Sequence, residues 1–276
     1  MKHFRSSFFL VPLTILLIIF ALGFIDSSQP DVNTTEVKSP INNHTMMMNV
    51  LWHQTAAEYR ALCYQAYNVA TEKLQLALKN KSDKPLAVVV DVDETILDNS
   101  PYNAGNIIGK LNYPDDFYRW VDNAECQPVP GALDFLKFAA KNKVEIFYIT
   151  NRRERGKEGT LENLNKLGFP NATEETVLCK TDKSSKQPRR DTVLKDHEIA
   201  LLIGDNLLDF DDVFKAETFE ERNLAVDKNR DKFGNKFIII PNVMHGEWLK
   251  MINRPEREMT ENEKLVHRKN LLKSFK

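Results

Sequence analysis

The sequence predicts an α/β domain, a mostly parallel sheet with helices on both faces. Two observations carry that prediction. Four short segments are almost wholly apolar and too short for helices: 86–92 (LAVVVDV), 144–150 (VEIFYIT), 199–203 (IALLI) and 237–240 (FIII). Between them the apolar residues recur at helical intervals, and strands alternating with helices favour a parallel sheet. A third observation places the chemistry, because three of the four segments run directly into polar stretches, two of them acid-rich. In such sheets the reactive groups collect beyond the carboxyl ends of the strands.

The elements follow in chain order. Residues 8–25 contain no charged side chain, and Lys2 and Arg5 stand just before them. As a helix this run would reach about 27 Å at 1.5 Å per residue, against a bilayer core of about 30 Å. Its basic flank puts the N-terminus inside. The expectation for residues 1–25 is a signal peptide or an N-terminal membrane anchor, cleavage and retention both being open. Residues 26–45, rich in Ser, Pro, Asn and Thr, read as a linker. From residue 46 to about 79 there is no Gly or Pro, and Leu51, Ala57, Leu62, Ala66, Val69, Leu74 and Leu78 mark one or two amphipathic helices. Residues 132–141 and 160–167 carry the next helical patterns, the second ending at Gly168, a left-handed stop. The main domain is expected to span 46–254. Pro255 marks a break, and Thr260-Glu261-Asn262-Glu263 has capping-box spacing for a last, charged helix within 255–276.

Composition narrows the function. The 276 residues carry 38 Lys+Arg and 39 Asp+Glu, with 42% hydrophobic and 28% charged residues, which excludes a disordered tail, a collagen and a polytopic membrane protein. Without a basic excess, a nucleic-acid polymer is not the expected partner. Removing residues 1–25 takes away two basic residues and no acid, leaving 36 against 39, a net charge of −3. Cys63, Cys126 and Cys179 lack metal-ligand spacing, and their odd number leaves at least one unpaired; one disulfide and buried free thiols are both compatible with the sequence.

The first strand ends in Asp91-Val92-Asp93-Glu94-Thr95, the second in Thr150-Asn151-Arg152, the third in Gly204-Asp205-Asn206-Leu207-Leu208-Asp209. Two carboxylates at i and i+2 of an extended segment point to one side. Their repulsion asks for a cation, and a hard divalent ion, preferably Mg²⁺, suits oxygen ligands, with Asp205 completing the set. A lone Asp-x-Asp would be weak; its place after an apolar strand, with a later Gly-Asp-x-x-x-Asp, is hard to explain by helix capping alone.

The stretches DVDETILDNSPY, FYITNRRE, KTDKSSKQPRR and GDNLLDF, in that order, resemble the four motifs of the haloacid-dehalogenase (DDDD-type) phosphatases. More narrowly they resemble the class C non-specific acid phosphatases, the family of the lipoprotein e(P4) 5′-nucleotidase. The similarity extends over roughly residues 49–248. It implies a haloacid-dehalogenase-like, Rossmannoid three-layer fold with a small helical cap inserted at about residues 100–130, and a Mg²⁺-dependent acid phosphatase acting on phosphomonoesters. It also implies the roles. Asp91 would be the nucleophile that forms an aspartyl phosphate, and Asp93 the general acid and then base. Thr150 and the backbone N–H of Asn151 would hold phosphate oxygens, with Lys186 as the cation beside them and Lys183 the alternative. Asp91, Asp93 (through its backbone carbonyl) and Asp205 would be metal ligands, and Asp209 would orient water or Lys186.

The resemblance also implies an aromatic wall that stacks on nucleobases or aryl groups, and the corresponding stretches here offer Phe117, Tyr118 and Trp120, and then His245 and Trp248. Relatives commonly carry Tyr in the place of His245. Two other readings share the motifs: a phosphotransferase, which uses the same residues, and a non-catalytic phosphatase-like binding or storage protein, disfavoured because Asp91, Asp93 and Asp205 are all present. The expected partners are a small phosphomonoester and, through residues 1–25 only, a membrane. The expected location is the periplasm or cell envelope, anchored or secreted, and a homodimer is left open. No Cys lies near the end of the apolar run, so a bacterial lipid anchor at that point is excluded.

Overall fold

The computed structural model describes residues 41–109, 111–253 and 259–275. The apolar run at 8–25, most of the expected linker and the break at Pro255 lie outside them. Two helices open the described chain, α1 (Ile41–Thr55) and α2 (Ala57–Ala77). α1 starts inside the stretch read as linker: residues 41–45 contain neither Gly nor Pro, and Pro40 precedes them in the sequence, a residue suited to a helix start. Strand β1 (Leu86–Val90) follows, then the short β2 (Leu97–Asp98), α3 (Ser100–Gly109), α4 (Asp115–Asp122) and β3 (Gln127–Pro128). β2 and β3 pair antiparallel, so the two helices expected as a cap leave and return at one place beside the end of β1. The rest alternates: α5 (Ala132–Lys141), β4 (Glu145–Arg153), α6 (Lys157–Leu167), β5 (Val177–Lys180), α7 (Gln187–Asp196), β6 (Glu198–Gly204), α8 (Phe219–Lys228), β7 (Phe237–Ile239), α9 (Glu247–Ile252) and α10 (Glu261–Leu271).

The main sheet is parallel throughout, in the order β5-β4-β1-β6-β7. β1 is buried on both faces, as its unbroken Leu-Ala-Val-Val-Val run requires. Val88 and Val90 join the side chains of α2 and α5 (Tyr67, Ala70, Leu74, Phe135, Leu136, Ala139), whereas Ala87 and Val89 join Val193 of α7 and the ring cluster Phe210, Phe214 and Phe237. The period of two in the strand thus feeds two separate cores, one on each face. Strand order reverses at β1, with β4 on one side and β6 on the other, and loops leaving the carboxyl ends at such a point open a crevice.

The local stops follow the sequence signals. Gly168 closes α6 at φ 77°, and Thr260 accepts from the Glu263 N–H to open α10. β5 and α7 are additions to the sequence reading; β5 has four residues and α7 is polar along most of its length, so neither gives a strong periodic signal. Among the described residues no helix is long and apolar enough to cross a membrane. The three cysteines are buried and free.

Candidate active site

Three strand ends build the site. The Asp91 N–H donates to Ile203 O at 2.9 Å, so the chain stays locked to β6 one residue beyond β1 and the carboxylate stands at the lip of the sheet. Glu94 then takes a left-handed conformation (φ 57°), which with N–H bonds from Ile96 and Leu97 to Val92 O folds residues 91–97 into a tight loop. Gly204 ends β6 because nothing larger fits: a Cβ there would overlap the Cβ and carboxylate of Asp209. Asp209 is itself held in a capping box, its Oδ2 accepting from the Asn206 N–H at 2.9 Å.

Carboxylate oxygens of Asp91, Asp205 and Asp209 converge within 4.8 Å of one another. Lys186, 4% exposed, enters from the start of α7, pairing with Asp91 and, at 2.7 Å, with Asp209. This distinguishes it from Lys183, which is exposed. Asp205 receives the Asn242 amide at 2.6 Å, and the Thr95 hydroxyl lies 3.3 Å from both Asp205 and Asp91. Three carboxylates against one ammonium leave two negative charges uncompensated. Burial, and then the charges of Asp209 and Asp93, push Asp91 up to about 7 despite Lys186. Burial, with the charges of Asp209 and Asp91, also holds Asp205 well above the usual carboxylate range. Burial works against the charge of Lys186, but Asp209 and Asp91 outweigh it and raise its pKa. An all-oxygen cluster short of two positive charges matches a hard divalent cation.

Asp93 stands apart from that cluster, contrary to the expectation that its carboxylate and that of Asp91 share one cation. Its counterion is Arg152, which is 2% exposed and reaches Asp93 Oδ1 with Nε at 2.9 Å and Nη2 at 2.8 Å. Asn99 Nδ2 donates to the same oxygen at 2.8 Å. Burial raises the pKa of Asp93, but the charge and hydrogen bonds of Arg152 and the Asn99 amide bring it below the ordinary value. Thr150 is fully buried; its hydroxyl accepts the Arg152 N–H at 3.0 Å and faces Asp93 Oδ2 at 3.4 Å. Asn151 is exposed, and its side chain accepts from Arg189 Nη2 at 2.8 Å. Arg152, Asn99, Arg189 and Asn242 were not singled out from sequence. Arg152 could have been, as a basic residue two places beyond the strand-end Thr150.

A cleft of ≈ 260 Å³ opens beside Asp93, walled by Tyr102, Tyr113, Phe117, Tyr118, Asn103 and His245. Of the expected aromatic wall, Phe117, Tyr118 and His245 are there, whereas Trp120 and Trp248 are not. Trp120 packs against the main core and donates its indole N–H to Asn99 Oδ1 at 2.9 Å. Trp248 donates to His245 O at 3.1 Å and faces a different cavity, between α1, α8 and α10. His245 pairs with Asn103 Oδ1 at 3.0 Å, and burial lowers its pKa. Two nearby acids act as caps: Asp98, which also meets His53 at 3.2 Å, accepts from the Ser100 N–H at 2.7 Å, and Asp211 accepts from the Val213 N–H at 2.9 Å.

Comparison with known proteins bears on this geometry. The family model of the HAD superfamily, subfamily IIIB (acid phosphatase), matches residues 25–248. A solved class C acid phosphatase from Bacillus anthracis is 40% identical, with a TM-score of 0.79 over 85% of this chain and 99% of that one. A second structure of the B. anthracis class C enzyme, with tungstate bound, aligns at 39% identity and the same TM-score. Acid phosphatase 1 of Solanum lycopersicum is 34% identical over 82 residues, 29% of this chain and only 32% of that protein. The class B acid phosphatase of Proteus mirabilis is 23% identical over 208 residues, 71% of this chain and 80% of its own length.

Proposed function

The chain belongs to the HAD-superfamily acid phosphatases of subfamily IIIB, phosphomonoesterases, and from that premise we propose that it is an exported, Mg²⁺-dependent enzyme working through an aspartyl phosphate on Asp91. The observation that carries the proposal is the buried group of three carboxylates around one lysine, with a separate, arginine-held carboxylate 3.4 Å from the strand-end hydroxyl of Thr150.

Asp91 attacks phosphorus while Lys186 offsets charge on its carboxylate and on the phosphoryl oxygens. A Mg²⁺ ion held by Asp91, Asp205 and the Asp93 carbonyl would neutralise the two remaining negative charges and lower the repulsion between carboxylate and phosphate. Asp209 keeps Lys186 aimed, since it shares the ammonium with Asp91. Thr150 and the Asn151 N–H take phosphoryl oxygens. As the P–O bond to the alcohol breaks, Asp93 gives the departing oxygen a proton; it then takes one from the water that hydrolyses the aspartyl phosphate, and passing that proton to the released phosphate returns both carboxylates to their ionised state. Arg152 keeps the free Asp93 ionised, so the first proton arrives with the substrate: a phosphomonoester whose second pKa is about 6 carries it in at acidic pH. The acidic optimum follows from that protonation. The aromatic cleft beside Asp93 suits nucleoside and aryl monophosphates, a stacked base adding about 1–3 kcal/mol without strong preference among bases. The oxyanion tungstate seen in the B. anthracis structure supports the phosphate reading. Residues 1–25 would serve as the export signal or anchor.

The test is phosphate release from p-nitrophenyl phosphate and nucleoside monophosphates across pH, with Mg²⁺ or with a chelator. Activity is expected at acidic pH only when metal is present. Activity that survives chelation would overturn the metal assignment.

A further inference from the structure

We infer that Trp120 and Asn99 form a positioning relay from the inserted cap to the proton-transferring carboxylate, and that they leave one named oxygen of Asp93, Oδ2, free to work. The inference rests on the acid role proposed for Asp93. Oδ1 is saturated: it takes Nε and Nη2 of Arg152 and Nδ2 of Asn99, all within 2.9 Å. Among the described residues, Oδ2 has only the Thr150 hydroxyl at 3.4 Å. The proton therefore moves at Oδ2, from Oδ2 to the bridging ester oxygen as the P–O bond breaks and the Asp91–phosphorus bond forms, and from water to Oδ2 in the return step.

Asn99 can donate to Asp93 only if its amide is turned the right way, and Trp120 decides that. An indole N–H can only donate, and it lies 2.9 Å from Asn99 Oδ1; the amide must then present its NH₂ to the carboxylate, which can only accept. Cys126 Sγ and Arg152 Nη2, each at 3.4 Å from Oδ1, reinforce the same orientation. Asn99 is 3% exposed and cannot turn to water instead. Trp120 is fixed in turn because α4 sits hard on α6: a methyl group at Gly159 would come within 2.7 Å of Val121 O, and one at Gly156 within 2.8 Å of the Tyr118 ring. The cap thus sets the angle of Asp93 through two hydrogen bonds, without Trp120 lining the cleft.

A positioned acid contributes about 10²–10⁴-fold when the leaving alkoxide is poor and little when it is good, so leaving-group dependence reads its alignment. The experiment compares kcat/KM of Trp120→Phe and Asn99→Ala on an unactivated alkyl phosphate and on p-nitrophenyl phosphate, with Asp93→Asn as benchmark and a thermal melt for each. Trp120→Phe removes one N–H and keeps an aromatic ring, so it tests the relay without emptying the site. The expected result is a loss of about tenfold on the alkyl ester in both variants, with p-nitrophenyl phosphate changed by less than about twofold. A merely structural role would lower both substrates alike, and equal losses or none overturn the relay. If Asp93→Asn itself loses equally on both substrates, the acid assignment falls and the relay with it. Selective loss in Asp93→Asn without selectivity in the two variants overturns the relay alone.

Discussion

Removing the metal should make the fold weaken as pH rises from about 4 to 7, the reverse of ordinary acid denaturation. Burial and its acidic neighbours bring Asp91 from an ordinary 3.8 up to about 7 in the folded, metal-free protein. A folded-state pKa above the unfolded one means that the native state holds the proton more tightly. Its stabilising contribution is therefore complete below the unfolded value and is lost as pH climbs through the folded one. The gap amounts to about 4 kcal/mol at 1.36 kcal/mol per pH unit. For a domain of this size that is about 8–16 °C in Tm. Asp205 and Glu94 shift the same way, both raised first by burial and then by neighbouring carboxylates. Asp93 is lowered and loses its contribution only below the window, and His245, lowered by burial, opposes the trend. The Asp91→Asn variant isolates the effect. Thermal unfolding in chelator at pH 4.5, 6 and 7.5 should show wild type falling relative to Asp91→Asn, and Mg²⁺ should restore wild type most strongly at the highest pH. A difference that stays flat with pH, or a Tm indifferent to Mg²⁺, would refute the charge argument.

Other expectations follow from the same contacts. Lys186→Ala leaves Asp91 and Asp209 facing each other without a cation; turnover should fall by at least about 10²-fold, and denaturant unfolding should show a loss of about 3–5 kcal/mol, as for a broken buried pair. Gly204→Ala drives a methyl group into Asp209 and so pushes it off Lys186, which should lower kcat by about 10–100-fold. A chain lacking residues 1–25 should keep full specific activity while that activity moves from the cell envelope to the cytoplasmic fraction; loss of activity in the purified truncated protein would contradict the reading of that segment as an address.

The sheet was legible because β1, β4, β6 and β7 are apolar runs of a length that only buried strands adopt, and the acids at the ends of β1 and β6 stand next to them in sequence. What sequence could not show was which side chains meet across loops. Arg152 and Asn99 lie 59 and 6 residues from Asp93, yet both hold one of its oxygens. The i, i+2 rule for extended chain put Asp93 beside Asp91, but the strand stops at Val90 and the loop turns at Glu94, so Asp93 meets Arg152 and Asp209 takes its place in the carboxylate cluster. Within the aromatic wall, Trp120 was misplaced in the same way. Phe117 and Trp120 share α4, but the indole N–H needs an acceptor when buried and finds Asn99, which turns that ring inward and leaves Phe117 at the cleft. Helix α1 was cut short because polar residues before Met46 read as linker, although nothing in residues 41–45 forbids a helix.

Turnover by Asp91→Asn tests the account most directly. Asparagine preserves the shape of the side chain and removes the attacking charge, so p-nitrophenyl phosphate hydrolysis with saturating Mg²⁺ should drop to the background rate while the circular dichroism spectrum and a cooperative melt are retained. Near-normal turnover by that folded variant would contradict the nucleophile assignment on which the mechanism stands.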